Sequence, residues 1–565
     1  MTPPPKDDSR KVRSMALMRG RRIGPLVAAM ALALLLGFGL ARGLQATDDL
    51  MTQLHLFGQV LNAVQQNYVE APDSEKLIRG AIAGMLKTLD PHSVYVPAQR
   101  AERMDEEFRG EYSGIGIQFE LRDNAIVVIS PLEGTPAFRL GLRAGDRITE
   151  VNGKPLAHGI TNDDVFKLLR GPAGSTVEVT IVREGEPEPI RFAIERAKIP
   201  IESIPYAYMI RPGVGYVRII RFSATTGEEL EQSLATLHAE GMKSLVIDLR
   251  SNSGGLLNQA VEVLDQIVPS GKLLVYTRGR IPTANADYRS ADRPRITTDE
   301  PLIVLVDHGS ASASEIVAGA VQDLDRALVA GTNSFGKGLV QNQISLGPGG
   351  SQGKLLLTIA KYYTPSGRLI QRDYAGKDQQ QYREEAFEGD VPPDSVLAKR
   401  PQFKTTAGRK IYGGGGIYPD VILKDGPYLT RPQIDMIQKR AFFPFAAHYV
   451  TVAHKDTRWT EGSFGPGFTL SDAEWTELRE SMVKGKVVVT DSVWQADRPF
   501  ILRQLRADLS TSANLGQTAR YRILVEEDVQ LKAALDLFPQ ATKLMSLSLG
   551  EPAKAVKRAR AGAKR

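Results

Sequence analysis

The residues best suited to catalysis lie around a serine-rich loop at residues 309–314. An apolar, β-branched run at Leu302–Val306 precedes the loop and is typical of a buried strand, and helical apolar spacing follows it. Ser312 therefore lies just before a helix, where the amide N–H of Ala313 has no intrahelical acceptor and can face an anion. A serine hydroxyl beside such a donor suits acyl transfer, because the donor stabilises the oxyanion that forms on attack.

Lys337 is a candidate base for this serine. It lies in a glycine-rich loop that follows a second apolar run, Ala327–Ala330. A serine hydroxyl needs a base to become a nucleophile, and a lysine can act as one when burial lowers its pKa enough for the neutral amine to be present. Gln341 lies four residues further on and shares a face with Lys337 in a helix or a strand. Its side-chain carbonyl is then placed to hold the amine.

A parallel sheet is the element that must position these residues. Ser244–Leu249 is a third apolar run, and Gly254, Gly255 and a helical pattern follow it. The three runs suit adjacent buried parallel strands joined by helical crossovers. The loops after them then gather at the carboxyl edge of the sheet, where open α/β sheets place ligands. The amide of either glycine can approach closely there, because no Cβ blocks it, and can serve as a second oxyanion donor.

The residues alone leave other interpretations open. Ser310 and Ser314 are locally equivalent to Ser312, and helix capping explains a serine cluster without catalysis. The glycine spacing before Lys337 nearly matches a phosphate-binding P-loop. However, Gly338 stands where that motif needs a hydroxyl for Mg²⁺. A nucleotide-binding function is therefore disfavoured.

Three longer runs resemble a known family. They are LVIDLRSNSGGLL at 245–257, GSASASEIVAGAVQD at 309–323 and GTNSFGKGLVQ at 331–341. Together they resemble the carboxyl-terminal processing, or tail-specific, serine proteases, and the resemblance covers roughly residues 50–425. It implies a crotonase-like protease core that works with a Ser/Lys dyad assisted by a glutamine.

Position by position, the resemblance assigns a role to each candidate residue. It implies that Ser312 is the nucleophile, that Lys337 is the general base and that Gln341 orients the base. It also implies that the amides of Ala313 and Gly255 form the oxyanion hole. The chain has no cysteine, and its histidines show no metal-ligand spacing, so we expect no metal and no other cofactor.

Short strands and glycines between residues 111 and 197 indicate a second kind of domain. Together with PAFRLGLRAGDRI at 136–148, this region resembles a PDZ domain. Such domains take up a peptide as an additional strand and hold its carboxylate in a nest of backbone amides. The residues that match this nest are Gly114, Ile115, Gly116 and Ile117. In the family, the position of Arg170 lies where the PDZ and protease domains meet. We expect Arg170 to couple peptide binding to dyad alignment, although a solvated surface arginine explains it equally well.

The N-terminal residues predict export from the cytoplasm. Ile23–Ala41 has 19 residues without a charge and follows a basic stretch. That length just suffices to span a membrane, so the segment is either a signal anchor or a cleaved signal peptide. The basic flank stays inside. With the family resemblance, we expect a periplasmic protein that is anchored to, or faces, the inner membrane.

The chain's net charge of +6 comes from its two ends. Residues 1–22 carry seven basic and two acidic groups, and residues 551–565 carry six basic and one acidic group. The rest of the chain is slightly acidic, so we expect no nucleic-acid partner.

The expected fold class is multidomain, α/β and α+β, with a PDZ domain inserted in the protease core. The expected divisions are a basic tail with signal segment at 1–46, an N-terminal helical segment at 47–110, a PDZ domain at 111–197, a serine protease core at 198–430, a C-terminal helical extension at 431–550 and a basic disordered tail at 551–565. The extension carries no catalytic constellation, and we expect it to mediate self-association or to dock an adaptor protein.

These features predict a serine endopeptidase that captures the carboxyl-terminal tails of protein substrates through its PDZ domain. Cleavage would proceed through an acyl-enzyme. The alternative is a non-catalytic PDZ scaffold that binds peptides in the envelope.

Overall fold

A computed structural model describes residues 50–291, 294–387 and 392–548. The chain divides into two compact units between Met85 and Leu86. Residues 50–67 form helix α1. Helix α2 is Ser74–Lys87, and the carboxylate of Asp73 accepts hydrogen bonds from N–H groups of its first turn.

Two predicted segments lie outside these residues. They are the apolar segment Ile23–Ala41 and the basic tail at 551–565. Within the residues that the structure describes, no helix is long and apolar enough to cross a membrane.

A short connection leads into the PDZ-like region. It comprises strand β1 (Val94–Val96), helix α3 (Ala98–Arg109) and strand β2 (Glu111–Gly114). Helix α3 ends at Gly110, whose left-handed conformation (φ 78°) lets its N–H donate to the carbonyl of Glu106.

The PDZ-like region is an antiparallel sheet with two helices. Its strands are β3 (Ile117–Arg122), β4 (Ala125–Pro131), β5 (Arg147–Val151), β6 (Lys154–Pro155), β7 (Thr176–Val182) and β8 (Ile190–Glu195), and its helices are α4 (Pro136–Arg139) and α5 (Asn162–Leu169). The strand order β3-β4-β5-β7-β8, with β6 paired to β5, leaves β3 at an edge. An edge strand next to a helix is where a peptide can add as a further strand.

The protease-like region follows strand β9 (Ala197–Pro200), which pairs with β2. Its strands are β10 (Tyr206–Arg211), β11 (Val214–Arg218), β12 (Ser244–Asp248), β13 (Leu273–Gly279), β14 (Ala286–Arg289), β15 (Leu302–Val306), β16 (Leu328–Gly331), β17 (Leu339–Ser345), β18 (Lys354–Tyr363), β19 (Gln402–Lys404), β20 (Lys410–Tyr412) and β21 (Val421–Ile422). Its helices are α6 (Thr226–Ala239), α7 (Leu257–Asp265), α8 (Ala313–Asp323), α9 (Gln379–Phe387) and α10 (Asp394–Leu397).

One sheet positions the serine loop. Its order is β10-β11-β12-β15-β16-β21, and β11 to β21 run parallel. The predicted parallel adjacency of the three apolar runs is confirmed, since β12 pairs with β15 and β15 pairs with β16. Helices α7 and α8 contribute Val263, Leu264 and Val317 to the core against this sheet. The loops after β12 and β15 therefore leave the same edge.

A second sheet positions the lysine loop. Strand β17 pairs antiparallel with β18, and β18 also pairs with β1 and β13. Lys337 directly precedes β17, and Gln341 lies on that strand. Residues 94–96 of the N-terminal segment thus form part of the sheet that carries the candidate base.

The polar stretch 376–400 contains helix α9. Two of its apolar side chains, Tyr382 and Ala386, are buried. They lie four residues apart and give this short helix one apolar face, a signal that the many charged neighbours obscured.

The C-terminal extension is helical, as predicted, with more and shorter helices than expected. They are α11 (Arg431–Gln438), α12 (Phe443–His448), α13 (Asp472–Lys484), α14 (Asp491–Ala496), α15 (Arg498–Ser512), α16 (Gly516–Leu524), α17 (Val529–Leu535) and α18 (Phe538–Ser548). Helices α11 and α12 are separated at Arg440, which has φ 44°.

This extension packs against both preceding regions. Phe443 and Ala447 join Val127 and Ile129 of the PDZ-like region in one apolar cluster. On the protease-like side, the ring of Tyr521 stacks on the ring of Tyr206, with 3.8 Å between the ring centroids. The extension therefore contacts the two regions that the sequence expected to cooperate.

Candidate active site

Ser312 occupies a strained turn at the start of α8. Its φ of 56° and ψ of −112° are seldom adopted by a non-glycine residue. Backbone strain of this kind persists only when the surroundings enforce it, and it concentrates at functional sites. The turn leaves Ser312 partly exposed while Ala311 and Ala313 on either side are buried. The structure therefore presents this serine to the cleft.

The hydroxyls of the two neighbouring serines are used within the fold. Ser310 Oγ donates to the carbonyl of Leu249 at 2.8 Å, and Ser314 Oγ donates to the carbonyl of Asn252 at 2.9 Å. Both side chains are fully buried, whereas Ser312 lines an open cleft. The geometry thus separates three serines that were locally equivalent in the sequence.

Gly254 and Gly255 lie directly against the serine turn. A Cβ on Gly254 would lie 2.8 Å from Ser312 Cβ and 2.9 Å from the amide nitrogen of Ala313. Gly255 approaches Phe222 so closely that a Cβ would lie 2.1 Å from its carbonyl oxygen. Both glycines have positive φ, 97° and 150°, so no other residue fits either position without strain.

The two glycine amides are not equivalent. Gly254 N–H donates to the side-chain oxygen of Asn252 at 2.8 Å. Among the residues that the structure describes, no hydrogen-bond acceptor is recorded for the N–H of Gly255 or of Ala313. Gly255 is therefore better placed than Gly254 to pair with Ala313 as an anion donor.

Lys337 and Gln341 are in direct contact. Lys337 Nζ donates to Gln341 Oε1 at 2.6 Å. Burial lowers the pKa of Lys337 below its ordinary value, and the opposing charges of Glu315 and Asp90 offset only part of that shift. A lowered pKa increases the fraction of neutral amine, which is the form that can accept a proton.

Glu315 ties the serine turn to the lysine loop, a role that the sequence analysis missed. Its carboxylate is fully buried and accepts hydrogen bonds from the main-chain N–H groups of Ser312 (2.9 Å), Gly336 (2.7 Å) and Lys337 (2.9 Å), and from the hydroxyl of Ser334 (2.5 Å). Burial raises the pKa of Glu315, while these donors favour the charged form. The Ser-x-x-Glu spacing of a capping box was the signal available in the sequence.

The segment around His92 also reaches the site. Gln341 Nε2 donates to the main-chain carbonyl of His92 at 2.6 Å. Asp90 shapes this turn, since its carboxylate accepts from the N–H groups of His92 and Ser93, each at 2.8 Å. Burial and the nearby Lys337 lower the pKa of His92 to about 4. The sequence explained these residues as packing and a turn, but their main chain holds the glutamine.

A cleft of about 470 Å³ brings the candidate residues together. Ser312, Lys337, Gln341, Gly254 and Gly255 all line it. Its other walls are largely apolar and include Phe108, Phe222, Leu256, Leu257, Ile316 and Tyr362. The arrangement places a hydroxyl, an amine and two free amides around a space that suits a peptide.

The loop predicted to bind peptide lines a groove of the PDZ-like region. Gly114, Ile115, Gly116 and Ile117 form one wall, and Val165, Phe166 and Leu169 on or near α5 form the other. Strand β3 begins at Ile117, so the groove lies along the free edge of the sheet.

Arg170 also lines this groove, directly after the end of α5. Its guanidinium lies 4.5 Å from the ring centroids of both Tyr112 and Phe166, and it forms an ion pair with Glu106 of α3. The next residue of that helix, Glu107, lines the catalytic cleft. Arg170 is thus half-buried in a contact between the PDZ-like region and helix α3 rather than free in solvent.

The known proteins that this chain resembles agree with this architecture. The profile of peptidase family S41 matches residues 213–380, a PDZ domain profile matches 127–183, and the profile of the activating protease CtpB N-terminal domain matches 39–100. A carboxy-terminal-processing protease of Bartonella bacilliformis is 42% identical over 325 residues, which are 56% of this chain and 73% of that protein. The chain belongs to the carboxy-terminal processing proteases of peptidase family S41.

Further S41 relatives are similar. The carboxy-terminal processing protease CtpB of Bacillus subtilis is 36% identical over 318 residues, which span 55% of this chain and 64% of that protein. Among solved structures, the photosystem II D1 C-terminal processing protease shares 28% identity, with coverage of 65% of this chain and 92% of that one and a TM-score of 0.33. The predicted family is confirmed, and with it the assignment as a serine-type peptidase with a PDZ domain.

Proposed function

We propose that the protein is a periplasmic endopeptidase that captures exposed carboxyl termini and cleaves the same substrates through an acyl-enzyme on Ser312. The hydrogen bond from Lys337 to Gln341, in the cleft that Ser312 lines, is the observation that carries the proposal. It supports a lysine held near the serine and shielded enough to lose its proton.

Capture takes place in the PDZ groove. A substrate tail adds to the free edge of β3, and its terminal carboxylate meets the amides of the loop from Gly114 to Ile117. Apolar side chains on α5, Val165 and Leu169, favour an apolar terminal residue. Tethering in this groove raises the effective concentration of the same chain at the catalytic cleft.

Acylation begins when Ser312 Oγ attacks the scissile carbonyl carbon and its proton passes to the neutral amine of Lys337. The oxyanion accepts hydrogen bonds from the amides of Ala313 and Gly255, each worth about 3 kcal/mol in the transition state. The protonated lysine then donates to the leaving amine. In deacylation, Lys337 accepts a proton from the water that attacks the ester. It returns this proton to Ser312 Oγ as the acyl–oxygen bond breaks and the new carboxyl terminus leaves.

The periplasmic location rests on the sequence. A basic stretch followed by the uncharged segment Ile23–Ala41 is typical of an exported or membrane-anchored protein. Fusion of a reporter enzyme that is active only in the periplasm to the end of the chain tests this location. An active reporter is expected, and activity of a cytoplasm-dependent reporter at the same position would overturn it.

The decisive experiment compares the purified protein with its Ser312→Ala variant on fluorescein-labelled casein, an unfolded substrate. We expect no cleavage by the variant and an unchanged melting temperature. Ser314→Ala is the matched control, because it removes a hydroxyl two residues away that bonds only to the carbonyl of Asn252. It should lose about 1 kcal/mol of stability and keep its turnover. Full turnover by Ser312→Ala would refute the proposed mechanism.

A further inference from the structure

We infer that Asp528, in the C-terminal extension, is a positioning residue for the proposed oxyanion hole, because it fixes Arg250 at the base of the loop that carries Gly255. The inference rests on the proposed function. It assigns to the C-terminal extension a role in positioning the active site of its own chain, and this role does not require a partner protein.

The contact is built around a buried carboxylate at the end of β12. Asp248 is fully buried and forms ion pairs with Arg218 at 2.7 Å and with Arg250 at 2.6 Å. Tyr216 donates its hydroxyl proton to the same carboxylate at 2.8 Å, and Tyr521 of the extension lies 2.9 Å from the Tyr216 hydroxyl. Two guanidinium groups thus meet one carboxylate in a largely buried setting.

The extension supplies the second carboxylate. Asp528 lies 2.7 Å from Arg250 Nη2 and 3.1 Å from Nη1, and the side-chain oxygen of Gln530 accepts from Nη1 at 3.0 Å. The Arg250 side chain is only 11% exposed and that of Asp528 only 20%. With Asp528 the cluster holds two positive and two negative charges, and without it one buried positive charge is left over.

A short and tightly bonded path leads from Arg250 to the catalytic cleft. The carbonyl of Arg250 accepts from Arg218, and the side chain of Asn252 donates to the carbonyl of Ile219 at 2.8 Å. The same Asn252 side chain accepts from Gly254 N–H. Gly254 in turn packs on Ser312 with no room for a Cβ. A displacement of Arg250 is therefore carried into the loop that ends at the donor amide.

Asp528 can be tested without disturbing its own helix. It is the N-cap of α17, and its carboxylate accepts from Leu531 N–H at 2.8 Å. Asparagine caps a helix as well as aspartate does. Asp528→Asn therefore keeps the cap and removes the charge that faces Arg250. Glu527→Gln is the matched control, because it makes the same charge change one residue away at a side chain that is 64% exposed and paired with Lys532.

The experiment measures casein cleavage by the full-length protein, with active sites counted by a fluorophosphonate that reacts with Ser312. For Asp528→Asn we expect kcat per counted site to fall roughly 3- to 30-fold. The rate of phosphonylation should fall with it, because that reaction uses the same donors. KM, affinity for a carboxyl-terminal peptide and the pH of half-maximal kcat should not change, since the PDZ groove and Lys337 are untouched. Asp528→Glu should recover part of the loss.

A purely structural contact would lower the melting temperature and the number of active sites, but not kcat per site. Unchanged kcat per site in Asp528→Asn, or an equal fall in Glu527→Gln, would overturn the inference. If Asp528→Asn does not fold, Gln530→Met is the second variant. It removes the neutral contact to Arg250 together with the hydrogen bonds that Gln530 donates to the Leu423 carbonyl and the Asp425 carboxylate. It should still lower kcat per counted site, and wild-type kcat per site in that variant would overturn the inference. An absence of Ser312-dependent cleavage in the wild type would instead refute the proposed function.

Discussion

The side-chain amide of Gln341 donates to the main-chain carbonyl of His92 at 2.6 Å. An amide carries its donors on one side and its acceptor on the other, so this bond turns Gln341 Oε1 towards Lys337, whose Nζ donates to it at 2.6 Å. The orientation of the candidate base thus depends on a turn that lies more than two hundred residues earlier in the chain.

Gln341→Glu should impair the base without changing the shape of the side chain. A carboxylate cannot donate to the His92 carbonyl, and its charge favours protonated Lys337, which raises the lysine pKa. We expect kcat at pH 7 to fall at least tenfold and the pH of half-maximal kcat to rise. A pH–rate profile of casein cleavage measures both.

The control for this change is Asn342→Asp. Asn342 is exposed on the same strand and, as a neighbour in sequence, faces the opposite side. It receives the same added charge, and its profile should match that of the wild type. A profile of Gln341→Glu that does not move would show that Gln341 has no influence on the base.

The activity should rise with pH through the titration of Lys337. Below its pKa the amine is protonated and cannot accept the serine proton, so kcat should increase with pH and then level off. Because burial lowers this pKa from its ordinary value of 10.5, the pH of half-maximal kcat should lie below 10.5. His92, with a pKa near 4, should add no inflection around neutrality. A flat profile from pH 6 to 10, with the chemical step rate-limiting, would contradict a lysine base, as would an active Lys337→Arg variant.

Gly254→Ala should abolish most activity by displacing the serine turn. Its new Cβ would lie 2.6 Å from the carbonyl oxygen of Ala311 and 2.8 Å from Ser312 Cβ. We expect kcat to fall by roughly a hundredfold or more, as for the loss of an oxyanion donor. Gly241→Ala is the control, since Gly241 has a similar φ of 90° with no atom within 4 Å of the added Cβ. It should cost about 1 kcal/mol of stability and leave kcat unchanged.

Arg170→Ala should weaken the link between peptide capture and cleavage. Removal of the guanidinium leaves Glu106 without its ion-pair partner. Glu106 lies on α3, and the end of that helix lines the catalytic cleft. We expect lower turnover of casein, by roughly tenfold, together with a change in peptide affinity. Arg103→Ala is the comparison, because Arg103 pairs with Asp163 between the same two helices but is more exposed. Wild-type turnover and affinity in Arg170→Ala would remove its proposed role.

Local patterns in the sequence predicted much of the fold correctly. The apolar runs that became β12, β15 and β16 are fully buried for most of their length, which is why their composition identified them as parallel strands. The C-terminal extension was less predictable, because its short helices end at positions such as Arg440 whose conformation depends on tertiary contacts.

Only those residues of the candidate site that belong to a sequence motif could be predicted. Ser312, Lys337 and Gln341 were named from short-range spacing and the family resemblance. The contributions of Asp90 and Asp528 depend on pairings between distant segments, such as β1 with β18, that no local pattern contains. The capping-box spacing could indicate the bond of Glu315 to Ser312, but not its bonds to Gly336 and Lys337. Hydrogen bonds from main-chain groups are also independent of residue type, so the role of the His92 carbonyl left no trace in the sequence.

The Arg250–Asp528 pair also has a consequence for biosynthesis. Ribosomes deliver the N-terminus first, so the segments that bear Ser312 and Lys337 emerge well before the one that bears Asp528. A copy whose synthesis stops before Asp528 contains Ser312 and Lys337. It lacks the carboxylate that pairs with Arg250 at the base of the loop that carries Gly255. We therefore expect such a truncated copy to cleave substrate more slowly than a chain that includes Asp528.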